Sequence, residues 1–161
     1  MTVVAAILTI SDSAAASARP DASGPALADR CRELDWLVAA SCIVPDDAER
    51  IAATLRDWAD RGVANLILTS GGTGVASRDI TPEATRAVLD REIPGLAELM
   101  RAEGRTQTRF APLSRAVAGS RGKTLIVNLP GSPRGAVYSL DAIAALVPHT
   151  LDLLAGDTAH K

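Results

Sequence analysis

The chain is predicted to be an α/β protein: a three-layer α/β/α arrangement around a mostly parallel sheet with one antiparallel edge strand. Three observations predict it. Short apolar runs (Val3 to Ile10, Ala39 to Val44, Leu66 to Thr69, Thr124 to Asn128) alternate with stretches of helical period. The separations between runs suit βαβ crossovers, which leave helices on both faces of a parallel sheet. The first run is continuously apolar and rich in β-branched residues, as a strand buried on both faces must be. No internal repeat, linker or low-complexity tract divides residues 1–161, so one domain is expected, long enough to fill a single core.

Taken in order, Val3 to Ile10 reads as a central strand that ends in Ser11-Asp12-Ser13. Residues 14–24, made of Ala, Ser, Pro, Asp and Gly with one Arg, read as loop. Gly24-Pro25 starts a helix in which Leu27, Cys31, Leu34 and Val38 recur at helical spacing. Ala39 to Val44 is the second strand. Asp46 then reads as an N-cap with Glu49 completing a capping box, and Ile51, Leu55, Trp58 and Ala59 form the apolar stripe until Gly62 stops the helix. Leu66 to Thr69 is the third strand. A loop carries the chain to a helix from Thr81 to about Arg91, with Thr81 as N-cap, Pro82 as first helical residue and Glu83 complementing the dipole. Pro94-Gly95 breaks the chain, and Leu96 to about Arg105 is helical. Residues 106–114 show no period. Ala116 to Gly119 and Thr124 to Asn128 form a hairpin, which supplies the antiparallel edge strand. The last helix runs from about Arg134 to Leu154. Leu140, Ile143, Leu146, Val147, Leu151 and Leu154 face inward, and Pro148 kinks it.

Composition excludes several functions. Aromatics are 2% of the chain, too few for the exposed rings on which single-stranded nucleic acid stacks, and a net charge of −2 with interspersed signs gives no basic surface for nucleic acid or membranes. The N-terminal apolar run is about eight residues, too short for a signal sequence or a membrane span, so the expected location is cytoplasmic. Cys31 and Cys42 read as core residues. His149 and His160 are isolated, with no second ligand nearby to make a metal site.

Ligands of open α/β sheets bind outside the carboxyl ends of the strands. Strand one is followed there by Ser11 and Asp12, strand two by Pro45-Asp46-Asp47, and the last strand, ending in Asn128, by Pro130-Gly131-Ser132-Pro133. Strand three is followed by Ser70-Gly71-Gly72-Thr73-Gly74, then Arg78-Asp79. Three glycines within four residues free the backbone to approach a ligand, and with a following helix N-terminus they make an anion cradle. The Arg78-Asp79 insertion exceeds the about 2–6 residues a βα turn needs. Backbone amides suit phosphates; the acids suit them only with a cation between, and Mg²⁺ takes one or two carboxylates plus phosphate oxygens. Each piece also has a plain structural reading. Asp12 can make an Asx-turn, Asp46 a cap, Ser114-Arg115 a solvated loop, and the Pro-Gly-Ser-Pro stretch a turn.

The combination resembles the molybdopterin-binding family of molybdenum-cofactor biosynthesis, most closely its adenylyltransferase branch. It is carried by Ile10-Ser11-Asp12, Ser23-Gly24-Pro25, Val44-Pro45-Asp46-Asp47, Leu68 to Gly74 continuing through Arg78-Asp79-Ile80-Thr81-Pro82-Glu83-Ala84, Pro94-Gly95-Leu96, Leu113-Ser114-Arg115, Ala118-Gly119 and Asn128 to Pro133. Asp47 stands where many relatives have Glu, and Ser132 where several have Asn or Gln. The resemblance implies a homotrimeric enzyme that transfers AMP from Mg-ATP to molybdopterin, or a module of the same family that binds molybdopterin or a nucleotide without transfer. It implies Asp46 and Asp79 as the essential pair, holding Mg²⁺ or its waters. It implies a pocket lined by Ser11, Asp12, Ser70, Gly71, Gly72, Thr73, Gly74, Asn128, Pro130, Gly131 and Ser132, with Ser114 beside it. Arg78, Arg115 and Lys123 are the candidate anion contacts, and the downstream molybdenum-inserting enzyme is a candidate partner.

Overall fold

The computed structural model describes residues 1–158. The elements run β1 (Val4–Ile10), α1 (Asp12–Ala15), α2 (Ser23–Glu33), β2 (Leu37–Val44), α3 (Ala48–Asp60), β3 (Leu66–Ser70), α4 (Thr81–Arg86), β4 (Arg91–Glu92), α5 (Pro94–Gly104), β5 (Ala118–Arg121), β6 (Thr124–Leu129), α6 (Pro133–Ile143) and α7 (Val147–Ala155), with single 3-10 turns at Ala111–Leu113 and Ala144–Leu146. They form one mixed sheet in the order β2-β1-β3-β6-β5-β4. β2, β1, β3 and β6 are parallel, while β5 runs against β6 and β4 against β5.

The period-2 alternation of the strands splits the core into two layers. Ala5, Ile7, Leu66, Leu68, Leu125 and Val127 face Leu27, Cys31, Met100, Leu140, Ile143 and Leu151 of α2, α5, α6 and α7. Ala6, Leu8, Ile67 and Ile126 face Ile51, Leu55, Ala84 and Val88 of α3 and the α4 region. The expected three-layer α/β/α fold is therefore present. Its outer antiparallel edge differs in detail: β5 is the reversed strand, but two-residue β4 lies outside it.

Other boundaries move for local reasons. Val38 belongs to β2, not to the preceding helix, because Asp35 takes a left-handed φ of 59° and ends the helix, with Trp36 N donating back to Cys31 O (2.9 Å). Residues 14 and 15, expected in the 14–24 loop, instead end a short helix of residues 12–15, because Ser11 caps it through a bond from Ala14 N. The helix after the glycine loop stops at Arg86, and Arg91 is already in β4. The last helix is interrupted at 144–146, so Leu146 is exposed, not inward. Pro148 then sits in the first turn of α7, where its missing N–H breaks no bond. Cys31 is buried as expected, but Cys42 is exposed, because β2 is an edge strand. His149 is exposed on α7, and His160 lies outside the described residues. Among the described residues, the helical stretch Pro133–Ala155 is apolar and long enough to cross a membrane. Its buried positions Ala136, Leu140, Ile143, Val147 and Leu151 pack on the sheet.

Candidate active site

The parallel strands deliver Ser11, Asp46, the glycine loop and Pro130 to one rim. Two acids lock the ends of β1 and β2 together. Asp12 N donates to Asp46 Oδ2 (3.0 Å), and Asp46 N donates to Asp12 Oδ1 (2.9 Å). Arg78 reaches over from the glycine loop, and its Nε and Nη2 both donate to Asp12 Oδ2 (3.0 and 2.7 Å). That pairing holds the Asp12 carboxyl below its usual range. Asp46 goes the other way. Half-burial pushes its carboxyl up, and the Asp12 and Asp79 charges add to the push. The capping role expected of Asp46 falls to its neighbour: Asp47 has the extended backbone of an N-cap and accepts from Arg50 N (3.0 Å).

The glycine loop is folded back against these acids. Gly71 and Gly72 have φ of 106° and 67°, which L side chains rarely adopt. A Cβ on Gly71 would strike Ile10 O, and one on Gly72 would strike Thr81 Oγ1 and come within 3.1 Å of Asp46 Oδ1. Asp46 therefore rests on bare backbone. Gly74 does the same for Asp79, whose Oδ2 would lie 2.8 Å from a Cβ there. Asp79 Oδ2 accepts from Ala76 N (2.9 Å), and Asp79 N donates to Ala76 O (3.0 Å), which closes a small turn. Thr81 is not an N-cap. It is the first helical residue, and it donates through Oγ1 to Gly71 O (2.9 Å) and through N to Gly72 O (3.1 Å).

Several predicted site residues turn out to brace the rim. Ser70 Oγ donates to Pro130 O (2.8 Å), and Gly71 N to Leu129 O (3.0 Å), so the two loops are tied together. Gly131 packs on Gly71. Ser132 caps α6 by accepting from Gly135 N (3.1 Å), and Ser114 Oγ accepts from Ala116 N (3.3 Å). Asn128 is fully buried. Its Nδ2 donates to Thr69 Oγ1 (3.0 Å) and Thr85 Oγ1 (2.9 Å), and its Oδ1 accepts from Val117 N (3.2 Å). Arg115 lies under the loop and binds its backbone. Lys123 is not at this site. It is in the β5–β6 turn, at the start of β6, and so on the opposite rim of the sheet.

Beside the loop opens a cavity of about 430 Å³, walled by Thr73, Gly74, Met100, Phe110, Leu113 and Tyr138 among others. Its outer wall is the segment 104–114, which has no period in the sequence. The sequence signal for it was two large apolar residues, Phe110 and Leu113, in a segment without a period; the structure leaves them 59% and 53% exposed. Arg109 stacks over the Phe110 ring at 4.9 Å. Tyr138 and Thr106 share a hydroxyl hydrogen bond of 2.7 Å that fastens this segment to α6.

Comparison with known proteins gives a consistent picture. Residues 6–149 match the family model described as a probable molybdopterin binding domain. The chain is 39% identical over 158 residues to the molybdopterin adenylyltransferase of Helicobacter pylori J99, covering 97% of this chain and 90% of that protein. It is 42% identical to the molybdenum cofactor synthesis protein cinnamon of Drosophila melanogaster, but spans 26% of that protein's length. The crystal structure of the molybdopterin biosynthesis enzyme MoaB from Thermus thermophilus superposes with a TM-score of 0.91 at 52% identity, covering 96% of this chain and 98% of that one.

Proposed function

The chain belongs to the molybdopterin-binding domain family, and from that premise we propose that it is a molybdopterin adenylyltransferase of molybdenum-cofactor biosynthesis. It transfers AMP from ATP to the terminal phosphate of molybdopterin and releases pyrophosphate. The observation that carries this reading is the placement of Asp46 and Asp79 against the bare backbone of the glycine loop, next to a cavity large enough for a heteroaromatic ring.

The chemistry suits the residues. An oxygen of the molybdopterin phosphate attacks the α-phosphorus of ATP, a new P–O bond forms, and the bond to the pyrophosphate oxygen breaks. A phosphate monoester has a second pKa of about 6, so it is already largely dianionic and needs no general base. The protein's task is to hold two polyanions in line and offset their charge. Gly71 spends its N–H on Leu129 O, so the amides of Gly72, Thr73 and Gly74 are those we assign to phosphate. The cavity takes a ring, with Phe110 at its wall.

A divalent cation fits this donor set. Asp46 is half-buried near the Asp12 and Asp79 carboxylates. The nearby Arg78 cation, itself paired with Asp12, opposes the shift, yet the Asp46 carboxyl is still pushed up, an arrangement that favours a further positive charge next to it. Among the described residues no three His, Cys, Asp or Glu side chains form a metal cage. Mg²⁺ needs none, since it completes its shell with water and phosphate oxygens. Asp46 and Asp79 would hold it or its waters, and when bound it would neutralise charge on the phosphates. Assembly as a homotrimer, action in the cytoplasm and hand-over to a molybdenum-inserting enzyme belong to the same reading, and the family resemblance supports them.

The test is incubation with molybdopterin and Mg-ATP, followed by mass detection of adenylylated molybdopterin and pyrophosphate. Both products are expected. Molybdopterin binding without pyrophosphate release would make the chain a carrier module of the same family instead.

A further inference from the structure

We propose that Arg115 is a positioning residue that sets the glycine loop and Asp79, and that it does not bind substrate. The inference rests on the reading of Asp79 as an acid of the transfer site. Arg115 touches the loop at both ends. Its N–H donates to Thr73 O (2.8 Å), its Nε to Gly74 O (2.7 Å) and its Nη2 to Asp79 O (2.7 Å). Its Nη1 pairs with Glu83, in the first turn of α4. One planar guanidinium therefore joins the start of the loop, the end of the loop and the helix that follows. Its own backbone is anchored just ahead of Ala116, Val117 and β5, which are buried.

The geometry needs an arginine. Guanidinium donors point in fixed, divergent directions, so Nε and Nη2 can serve two carbonyls while Nη1 serves a carboxylate. A lysine ammonium on a flexible stem offers its three donors from one point and does not span that set. The charge is also already matched. Glu83 lies on Arg115, and the carboxyl of Glu83 is held below its usual range by that contact. Arg78 differs. It is 66% exposed against 35% for Arg115, and it meets a side chain only, Asp12, with no bond to the loop backbone. Between Gly74 and Asp79 the loop's own hydrogen bonds are those joining Ala76 to Asp79. Two arginines fix that turn to the rest of the rim: Arg78 from within it, by an exposed side-chain pair with Asp12, and Arg115 from outside it, by direct bonds to its backbone.

Arg115→Met, Arg115→Lys and Glu83→Gln test this, with kcat and KM for ATP, equilibrium ATP binding, and amide hydrogen exchange of the ligand-free loop. Misplacing a catalytic group by about 1 Å costs on the order of 10²-fold. Both Arg115 variants are expected to lose about that much kcat, and KM for ATP should rise with it, because Arg115 holds the carbonyls of Thr73 and Gly74 in the stretch whose amides are assigned to phosphate. Glu83→Gln is expected to lose kcat as well, by a smaller factor. Exchange at Ala76 and Asp79 should quicken in all three. A substrate ligand behaves differently: Arg115→Lys would raise KM at unchanged kcat, and Glu83→Gln would tighten ATP binding by freeing Arg115. Either result overturns the proposal. If Arg115→Met fails to fold, Arg115→Lys and Glu83→Gln decide. If the wild-type chain transfers no AMP, the functional reading fails, and unchanged exchange in the variants would then overturn the role of Arg115 independently.

Discussion

Polar side chains brace both rims of the sheet, but among the described residues only the carboxyl-end rim also holds an acid against its preference. At the amino ends of the strands they close turns. Asn65 accepts from Val4 N (2.8 Å) and donates to Thr2 O (2.9 Å). Arg121 grips Asp60 through Nε and Nη2 (2.8 and 2.9 Å) and also donates to Val88 O (3.0 Å), while Asp90 accepts from Gly122 N (2.7 Å). Arg121 holds the Asp60 carboxyl below its usual range, which is the mark of a stabilising contact. At the carboxyl ends the chain gathers Asp12, Asp46 and Asp79, and Asp46 is pushed up by burial and by its neighbours' charges. Asp12 is compensated by Arg78 and Asp79 closes a turn, but nothing among the described residues fully compensates the raised carboxyl of Asp46. A rim where one acid is held in an unfavourable ionised state is where a ligand's charge is needed.

The sharpest way to break that contrast is to neutralise the crowded acids. Asp79→Asn and Asp46→Asn should each lower AMP transfer by about 10²–10³-fold, the scale of losing one charge-stabilising group. Neither should lower the melting temperature much, and Asp46→Asn should leave it equal or higher. The sign follows from the direction of the shift. A folded-state carboxyl pushed up means that ionised Asp46 opposes folding at neutral pH, so a neutral amide relieves the fold. Calorimetry beside a transfer assay checks both. Full activity with a large stability loss would erase the difference between the rims. Asn65→Ala is the mirror experiment. It leaves Val4 N without its acceptor, so stability should fall by about 1–3 kcal/mol while the folded fraction keeps its specific activity.

How much of this could be read beforehand depended on range. The strand runs and their order gave the layers, because burial on two faces writes itself into continuous apolar stretches such as Val3 to Ile10. The acids could be located, because strand ends are readable and ligands gather there. What could not be read were choices between neighbours and partners far along the chain. Asp46 and Asp47 are chemically identical, and only the extended backbone at Asp47, φ −129° and ψ 116°, makes it the cap. Arg78 and Arg115 look alike as rim cations, yet one closes on Asp12, 66 positions away, and the other on the loop backbone. The cavity needed α5, α6 and segment 104–114 to meet, and no local period announces that. Cys42 and Leu146 read as apolar core, but β2 is an edge and a 3-10 turn rotates Leu146 outward.

A smaller effect sharpens the comparison by pH. Asp12 raises the Asp46 carboxyl through its charge. In Asp12→Asn that charge is gone, so the Asp46 carboxylate is easier to form. The acid limb of kcat/KM should move to lower pH, whatever happens to the height of the profile. An acid limb that stays put would mean that Asp46 is not the group whose ionisation limits activity on that side. Lys123→Ala should show the smallest effect of all. Lys123 is a cation in a glycine-containing turn, just as Arg78 is in its loop, and composition alone cannot separate them. Only the reversed direction of β5 places the turn at the amino ends of the parallel strands. At an exposed position across the sheet from the acids, its charge is screened within about 8–10 Å. Transfer rate, KM for ATP and melting temperature should all match the unmodified chain. A rise in KM for ATP would instead mean that phosphate reaches the amino-end rim, and the division of labour between the rims would fail with it.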